Sequence, residues 1–359
     1  MMKLICNLSM LGGRPTGLGV YAEHCVSGLA QRFRLGLIAG NGYLPDGEVV
    51  VKAPDSIAIG SGKFAALRRQ WWLRSVQFNS DQVIYSPTHH GLPNQVGQII
   101  TVHDLISLRF PAQHFSQYLF FRFGLPHLLK KCRAVFTVSE TTRHDIAKTY
   151  AFPLESIFVV PNGVDQSAFP PASGAHSEGR FLLMVGARYP HKNVHEVLDM
   201  APCWQEDYRL IITSCDGPYR KALAQKVRHL GLDDRVEFKD YVSREALLYL
   251  YQSASALVYP SCWEGFGIPP LEALSCGTPV IASDIPPHRE VLGDAAFFVK
   301  LGDPQSWAEA FRLLSLPEKV NDCMEIGQMR LSKFTWENAL KSLESALLNV
   351  EPRLEECRL

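Results

Sequence analysis

The chain has 359 residues, 47% hydrophobic and 20% charged, and its 36 Lys and Arg balance 36 Asp and Glu. This excludes a disordered or fibrous chain and argues against a nucleic-acid binder, and the length calls for two domains of about 150–200 residues. The charge is uneven: residues 1–165 hold 16 Lys and Arg against 10 Asp and Glu, which either suits an anionic partner or membrane surface or is only an asymmetry of solvated faces.

The opening MMKLICNLSMLGG is too short and too broken by polar residues for a signal peptide, and no run of 18 apolar residues predicts a spanning helix. Nine scattered cysteines without a C-x-x-C pair predict a reduced, cytoplasmic protein rather than a disulfide framework or a zinc site.

KLICNLSM reads as a buried strand. GGRPTGLGVY follows as a glycine turn, with Gly17 and Gly19 opening onto the helix VYAEHCVSGLAQRF. This G-x-G lacks the third glycine of the dinucleotide fingerprint, so it is either a phosphate or sugar contact or a tight turn. RLGLIAG is a second strand. SGKFAALRRQWWLR joins Lys63, Arg68, Arg69 and Arg74 to Phe64, Trp71 and Trp72. Such a helix either lies in a membrane interface or packs its tryptophans inward and turns its arginines to water.

The strand QVIYSP leads to His89 and His90, and QIITVHD ends on His103 and Asp104. These polar residues at strand ends are either site residues or structural ones, and their spacing does not favour a metal. AVFTVSE, the helix TTRHDIAKTY and SIFVVPNGVD complete a first set of βαβ units. QSAFPPASGAHSEG is the linker candidate. The alternation then restarts with the strands RFLLMVGA, YRLIITSC, RVEFKDYV, SALVYPS, TPVIAS and AAFFVK. The expected architecture is α/β, two Rossmann-like doubly wound domains facing a central cleft, with ligands at the carboxyl ends of the strands. FTWENALKSLESALLNV closes the chain as a strong helix.

Two stretches carry most of the chemistry. In SCWEGFGIPPLEALSCGTPV, Glu264 sits in the turn after a strand, and Pro269 and Pro270 fit only the first turn of the next helix. Gly265 and Gly267 allow close backbone approach, the helix start favours a phosphate, and Glu272 lies on the same helix. Carboxylates here suit sugar and ribose hydroxyls; the bland alternative is a helix start with an incidental carboxylate. In VGARYPHKN, Arg188 and Lys192 lie four apart at a strand end, either to neutralise a diphosphate or as a solvated basic turn.

Together GLGVY, VHDL, TVSE, PNGVD, VGARYPHKN and PSCWEGFGIPPLEALSCGTPVIAS resemble, in order and over nearly the whole chain, the retaining glycosyltransferases of family 4, with their GT-B fold. The last stretch carries that family's E-x7-E pattern as Glu264 and Glu272. The resemblance implies a metal-independent transferase without a resident cofactor. Residues 1–165 would form the acceptor-side domain, helix 335–359 would pack back on it, and residues 166–334 would bind the nucleotide sugar. It further implies that Glu264 meets the donor sugar beside the N–H groups of Phe266 and Gly267, and that Glu272 holds the ribose. Arg188 and Lys192 would grip the diphosphate, and the backbone around Tyr241 and Val242 would frame the base. His103 would meet the donor sugar, and Gly17 and Gly19 the phosphate or acceptor. No motif position departs from an active enzyme.

VHDL and TVSE are similar to stretches of bacterial surface-polysaccharide mannosyltransferases, which implies GDP-mannose as donor and O-antigen or lipopolysaccharide synthesis as setting. UDP-hexoses and dTDP-rhamnose stand behind it. A lipid-linked oligosaccharide acceptor, with peripheral attachment to the inner membrane face, would account for the basic first half. The competing functions are a sugar-nucleotide epimerase of the same fold and a non-catalytic glycan-binding protein.

Overall fold

The structure is a computed structural model, and it describes residues 3–12, 17–40, 45–58, 61–62, 64–171, 180–240 and 242–359. The chain divides into two compact units, Met1–Gly163 with Trp336–Leu359, and Val164–Thr335.

The first unit is built on a parallel sheet of β1 (Leu4–Asn7), β2 (Leu35–Ala39), β3 (Glu48–Lys52), β4 (Val83–Ser86), β5 (Gln98–Thr101), β6 (Cys132–Thr137) and β7 (Ile157–Val159), in the order β3-β2-β1-β4-β5-β6-β7. The order reverses between β1 and β4, which is where ligands enter such sheets. β1, β2, β4 and β5 are buried throughout. β3 escapes the sequence pattern because it is a solvent-facing edge strand, with Val49 exposed. Its helices are α1 (Gly17–Ala30), α2 (Ala65–Leu73), α3 (Ile106–Arg109), α4 (Phe115–Leu119), α5 (Leu125–Leu129) and α6 (Glu140–Tyr150). A π-helical turn, Phe120–Gly124, joins α4 to α5. Ser139 caps α6, its hydroxyl accepting from the Thr142 N–H at 3.1 Å.

α2 departs from the expectation that its tryptophans pack inward and its arginines face water. Arg69 is buried, while Phe64, Leu67 and Trp71 are exposed; Trp72 packs partly against Leu73 and its neighbours. The neighbouring backbone and ring acceptors decide this, because they give a guanidinium a polar place inside that periodicity does not reveal.

The second unit repeats the plan with six parallel strands: β8 (Phe181–Met184), β9 (Arg209–Thr213), β10 (Val236–Lys239), β11 (Ala256–Tyr259), β12 (Val280–Ser283) and β13 (Phe297–Val299), ordered β10-β9-β8-β11-β12-β13. The reversal falls between β8 and β11, and both strands are fully buried. Its helices are α7 (Val194–Asp199), α8 (Gly217–His229), α9 (Arg244–Ser253), α10 (Ile268–Ser275), α11 (Pro286–Leu292), α12 (Pro304–Leu314) and α13 (Pro317–Lys333). Trp204 and Trp307 are fully enclosed in its core.

The chain then returns to the first unit as α14 (Trp336–Val350). Its Trp336 stacks on His24 of α1 at 4.1 Å. A side chain at Gly28 would strike Leu340 at 2.3 Å, so glycine here lets the two helices close.

Candidate active site

In the second unit, β8 and β11 deliver the residues of both chemistry-bearing stretches to the point where strand order reverses. After β11 the chain turns through residues 260–267 and enters α10, with Gly267 at φ +99°, a conformation costly for any residue with a Cβ. Pro269 and Pro270 carry no N–H, so among the first three helical positions only Ile268 has a backbone donor.

Glu264 is buried, and the Lys192 ammonium donates to its Oε1 at 2.6 Å. The same ammonium donates to the Tyr259 hydroxyl at 3.1 Å and lies over the Tyr259 ring. Burial alone would raise the Glu264 carboxyl, but the Lys192 ammonium outweighs it and holds it down at about 2. Burial likewise disfavours the Lys192 charge, and Glu264 more than compensates, pushing the ammonium up. Both stay ionised at neutral pH.

The placement of Lys192 is well built. It ends the turn Pro190–Lys192, and Asn193 follows in the left-handed region at φ 61°. The Asn193 amide donates to Glu196 Oε2 at 2.6 Å. The other Glu196 oxygen accepts from the Gly302 N–H at 2.7 Å and the Trp307 indole at 2.9 Å. The Cys262 N–H donates to the His191 carbonyl at 2.8 Å, tying the Lys192 loop to the Glu264 loop.

Arg188 is not drawn into this group. It is exposed, 3.8 Å from Asp216 and 5.8 Å over the Tyr189 ring. Glu272 is half-buried on α10 and accepts from the Tyr251 hydroxyl at 2.8 Å. Burial raises its carboxyl, with the Tyr251 bond working the other way. Gly265 and Phe266 are buried, and Phe266 meets Phe334 edge-on at 5.3 Å. Val242 lines a cavity of about 480 Å³ with Ile211, Tyr249 and Leu250, whereas Tyr241 lies outside the described residues.

Sequence reasoning missed His288. Its Nδ1–H donates to the Ser283 carbonyl at 3.0 Å, so its neutral Nε2 bears a lone pair, and that buried atom has no partner among the described residues. A Cβ built on Gly267 would lie 3.9 Å from it. A single histidine among the apolar residues of α11 gives no periodic signal.

In the first unit, His103 follows β5, and its Nε2–H donates to the Pro87 carbonyl at 3.0 Å. Its ring meets Tyr21 edge-on at 4.6 Å. Burial pushes it down to about 4, so it is neutral at pH 7. Asp104 accepts from the Ile106 N–H at 2.9 Å and so closes the turn into α3. The expectation that Gly17 and Gly19 form a turn ahead of the helix is corrected: both lie in the first turn of α1 itself, and residues 13–16 lie outside the described residues. Among the described residues no group of three His, Cys, Asp or Glu is placed to hold a metal, and no helix is long and apolar enough to cross a membrane.

Comparison with known proteins finds two matching families, Glycosyltransferase Family 4 over residues 15–168 and Glycosyl transferases group 1 over residues 165–330. An O-antigen chain mannosyltransferase of Salmonella typhimurium, RfbU, is 36% identical, covering 89% of this chain and 93% of that protein. O-antigen chain mannosyltransferase B of Escherichia coli is 28% identical, covering 94% and 97%. Among solved structures, Anabaena Alr3699/HepE in complex with UDP and glucose has a TM-score of 0.73 at 17% identity, covering 97% of this chain and 100% of that one. WaaG, a glycosyltransferase involved in lipopolysaccharide biosynthesis, has a TM-score of 0.64 at 15% identity, covering 97% and 99%. At such identities the structural likeness speaks for the fold alone.

Proposed function

The chain belongs to glycosyltransferase family 4 and has the GT-B fold, and from that premise we propose that this glycosyltransferase moves mannose from GDP-mannose, with retention, to a lipid-linked saccharide acceptor in O-antigen or related surface-polysaccharide synthesis. The observation that carries the site assignment is the buried Lys192–Glu264 pair at the strand-order reversal of the second unit. The choice of mannose is supported by the likeness to the two O-antigen chain mannosyltransferases.

In this reading Glu264 accepts from hydroxyls of the donor sugar while staying charged, which also suits the positive charge that develops at the anomeric carbon. Lys192 and Arg188 answer the negative charge on the departing diphosphate. The Ile268 N–H and the start of α10 add a fixed partial charge, with Gly265, Phe266 and Gly267 leaving room for a phosphate or sugar. Glu272 accepts from the ribose, Tyr241 and Val242 frame the base, and Gly17 and Gly19 serve the phosphate or acceptor. His103, neutral at pH 7, contributes a hydrogen bond toward the sugar. The acceptor hydroxyl attacks on the face the diphosphate leaves, with the leaving phosphate as base, and no metal is required. The exposed Phe64, Leu67 and Trp71 support peripheral attachment to the inner membrane face.

The test is thermal stabilisation by GDP, UDP, dTDP and ADP and their sugars with EDTA present, followed by product analysis with GDP-mannose. A ligand at about 100 times its Kd adds about 2.7 kcal/mol. Stabilisation by GDP alone and an α-mannosylated product are expected. Stabilisation by another nucleotide overturns the donor, and consumption of donor without any acceptor returns the epimerase reading.

A further inference from the structure

Arg69 is 5% exposed, yet no carboxylate pairs with it among the described residues. A buried charge is ordinarily paired. Its Nε–H donates to the Ile57 carbonyl at 2.7 Å, and one Nη1–H donates to His90 Nε2 at 2.9 Å. A guanidinium only donates, so His90 Nε2 must accept, and the His90 proton sits on Nδ1, 3.2 Å from the Thr88 hydroxyl. His90 is therefore a neutral ring and offers no counter-charge. Two of the five guanidinium N–H groups are used; three have no acceptor among the described residues.

His89 stands beside this pair. It is 6% exposed, lies 4.2 Å from the His90 ring and 4.9 Å from Phe121, and neither of its ring nitrogens has a hydrogen-bond partner among the described residues. The neighbouring His103 spends its Nε2–H on Pro87. The group thus holds one full positive charge, three neutral imidazoles and no negative charge. It lies beyond the carboxyl ends of β4 and β5, the side of a parallel sheet where ligands bind.

We propose that Arg69, His89 and His90 form a phosphate subsite in the first unit, and that its ligand is the diphosphate of a prenyl-linked acceptor. The proposal rests on the transferase reading above and adds to it the chemical handle by which the acceptor is gripped. A guanidinium fork matches phosphate oxygens, and an imidazole N–H supplies one further donor. Burial, with His103 and Arg69 adding to it, drives His89 down to about 3, and the two negative charges of a diphosphate, one on each phosphate, supply what reverses this. The other face of α2 identifies the source of the phosphate. Phe64, Leu67 and Trp71 are 64, 69 and 78% exposed, spaced three and four apart as one apolar ridge. One helix thus offers an anion grip on its inner side and an apolar ridge on its outer side, the two halves of a prenyl diphosphate.

The test uses the full chain with carbon-13-labelled histidine. It is saturated with GDP to occupy the donor site, then titrated with geranyl diphosphate while the His89 and His90 signals are followed by NMR. A saturable shift of His89 toward the protonated form is expected, with the His90 signals moving but staying those of a neutral ring, and with affinity at least tenfold weaker in Arg69→Gln and in His89→Phe. Inorganic pyrophosphate should bind at least tenfold more weakly than geranyl diphosphate. His89→Phe keeps the ring packing on Phe121, so it carries the test if Arg69→Gln does not fold. Unmoved His89 and His90 signals, or equal affinity in both variants, overturn the subsite. Pyrophosphate binding as tightly as geranyl diphosphate overturns the prenyl source in favour of free phosphate. If GDP itself fails to bind, the donor reading falls, and the same titration without GDP still decides the subsite.

Discussion

The Lys192 ammonium lies 2.6 Å from the Glu264 carboxylate, although 72 positions of sequence separate them. Each would be penalised alone in that buried place, and each keeps the other charged. The pair is thus a neutral, preorganised unit that presents both signs of charge at the reversal point of the sheet, as a reaction that separates a sugar cation from a phosphate anion requires.

Removing one member strands the other. Lys192→Met and Glu264→Ala are each expected to cost about 3–5 kcal/mol in urea unfolding, and to abolish transfer. The double variant should recover part of the stability and none of the activity. A single-variant loss below about 1 kcal/mol would mean that water screens the pair.

The two units should respond differently to acid. Glu264 is held at about 2 against an ordinary 4.5, so its contribution is present above about pH 4.5 and is lost only as pH falls toward 2. Lys192 is raised, so its contribution is full below its ordinary 10.5 and lost only above that. The pair is therefore silent between pH 5 and 10. His89 and His103 run the other way, with folded values of about 3 and 4 against 6.5. Below pH 6.5 the unfolded chain takes up protons that the native first unit does not, so stability falls between pH 6.5 and 4. Burial also holds His195 and His288 of the second unit down, but by less than His89 and His103, so urea unfolding at pH 7.5, 6 and 5 should show the first unit weakening more steeply than the second. His89→Phe should flatten that slope, and an unchanged slope would mean that His89 is solvated.

Glu272 is expected to act on donor affinity. Glu272→Ala should raise the KM for the donor at least tenfold, with a smaller change in kcat. Tyr251→Phe removes only the bond that orients the carboxylate, so it should raise KM a few-fold and leave kcat alone. Steady-state kinetics with varied donor separates the two; an unchanged KM in Glu272→Ala ends the ribose assignment.

Phe64, Leu67 and Trp71 face solvent, so changing all three to Ser should alter unfolding stability by no more than about 1 kcal/mol. Each apolar side chain taken into a bilayer is worth about 1.5–3 kcal/mol. Sedimentation with anionic vesicles should therefore show at least a tenfold loss of binding. Vesicle binding equal to that of the parent would end the membrane reading.

Much of the fold was legible because its signals are local. Buried strands such as LICN and ALVY read as apolar runs, and Pro269 with Pro270 marks where α10 begins. β3 was not legible, since an edge strand with solvated faces has no buried pattern. The inversion of α2 was also hidden: its arginines and aromatics share one segment, and only the acceptors at Ile57 and His90 select which of them goes inside.

The order of short apolar runs, glycine turns and helical stretches is enough to dictate two doubly wound parallel sheets, because strand length, turn chemistry and helix starts depend on neighbours in sequence. It also places Glu264 at a strand end and Glu272 on the helix that follows. Which side chains then meet depends on strand order. β8 and β11 lie side by side although β9 and β10 come between them in the chain, and that adjacency brings Lys192 to Glu264. Packing of helices on the sheets likewise sets Arg69 against His90 and leaves His288 Nε2 without a partner among the described residues, beside Gly267. Burial and long-range adjacency set the charge states of these groups, and both exist only once the sheets have formed.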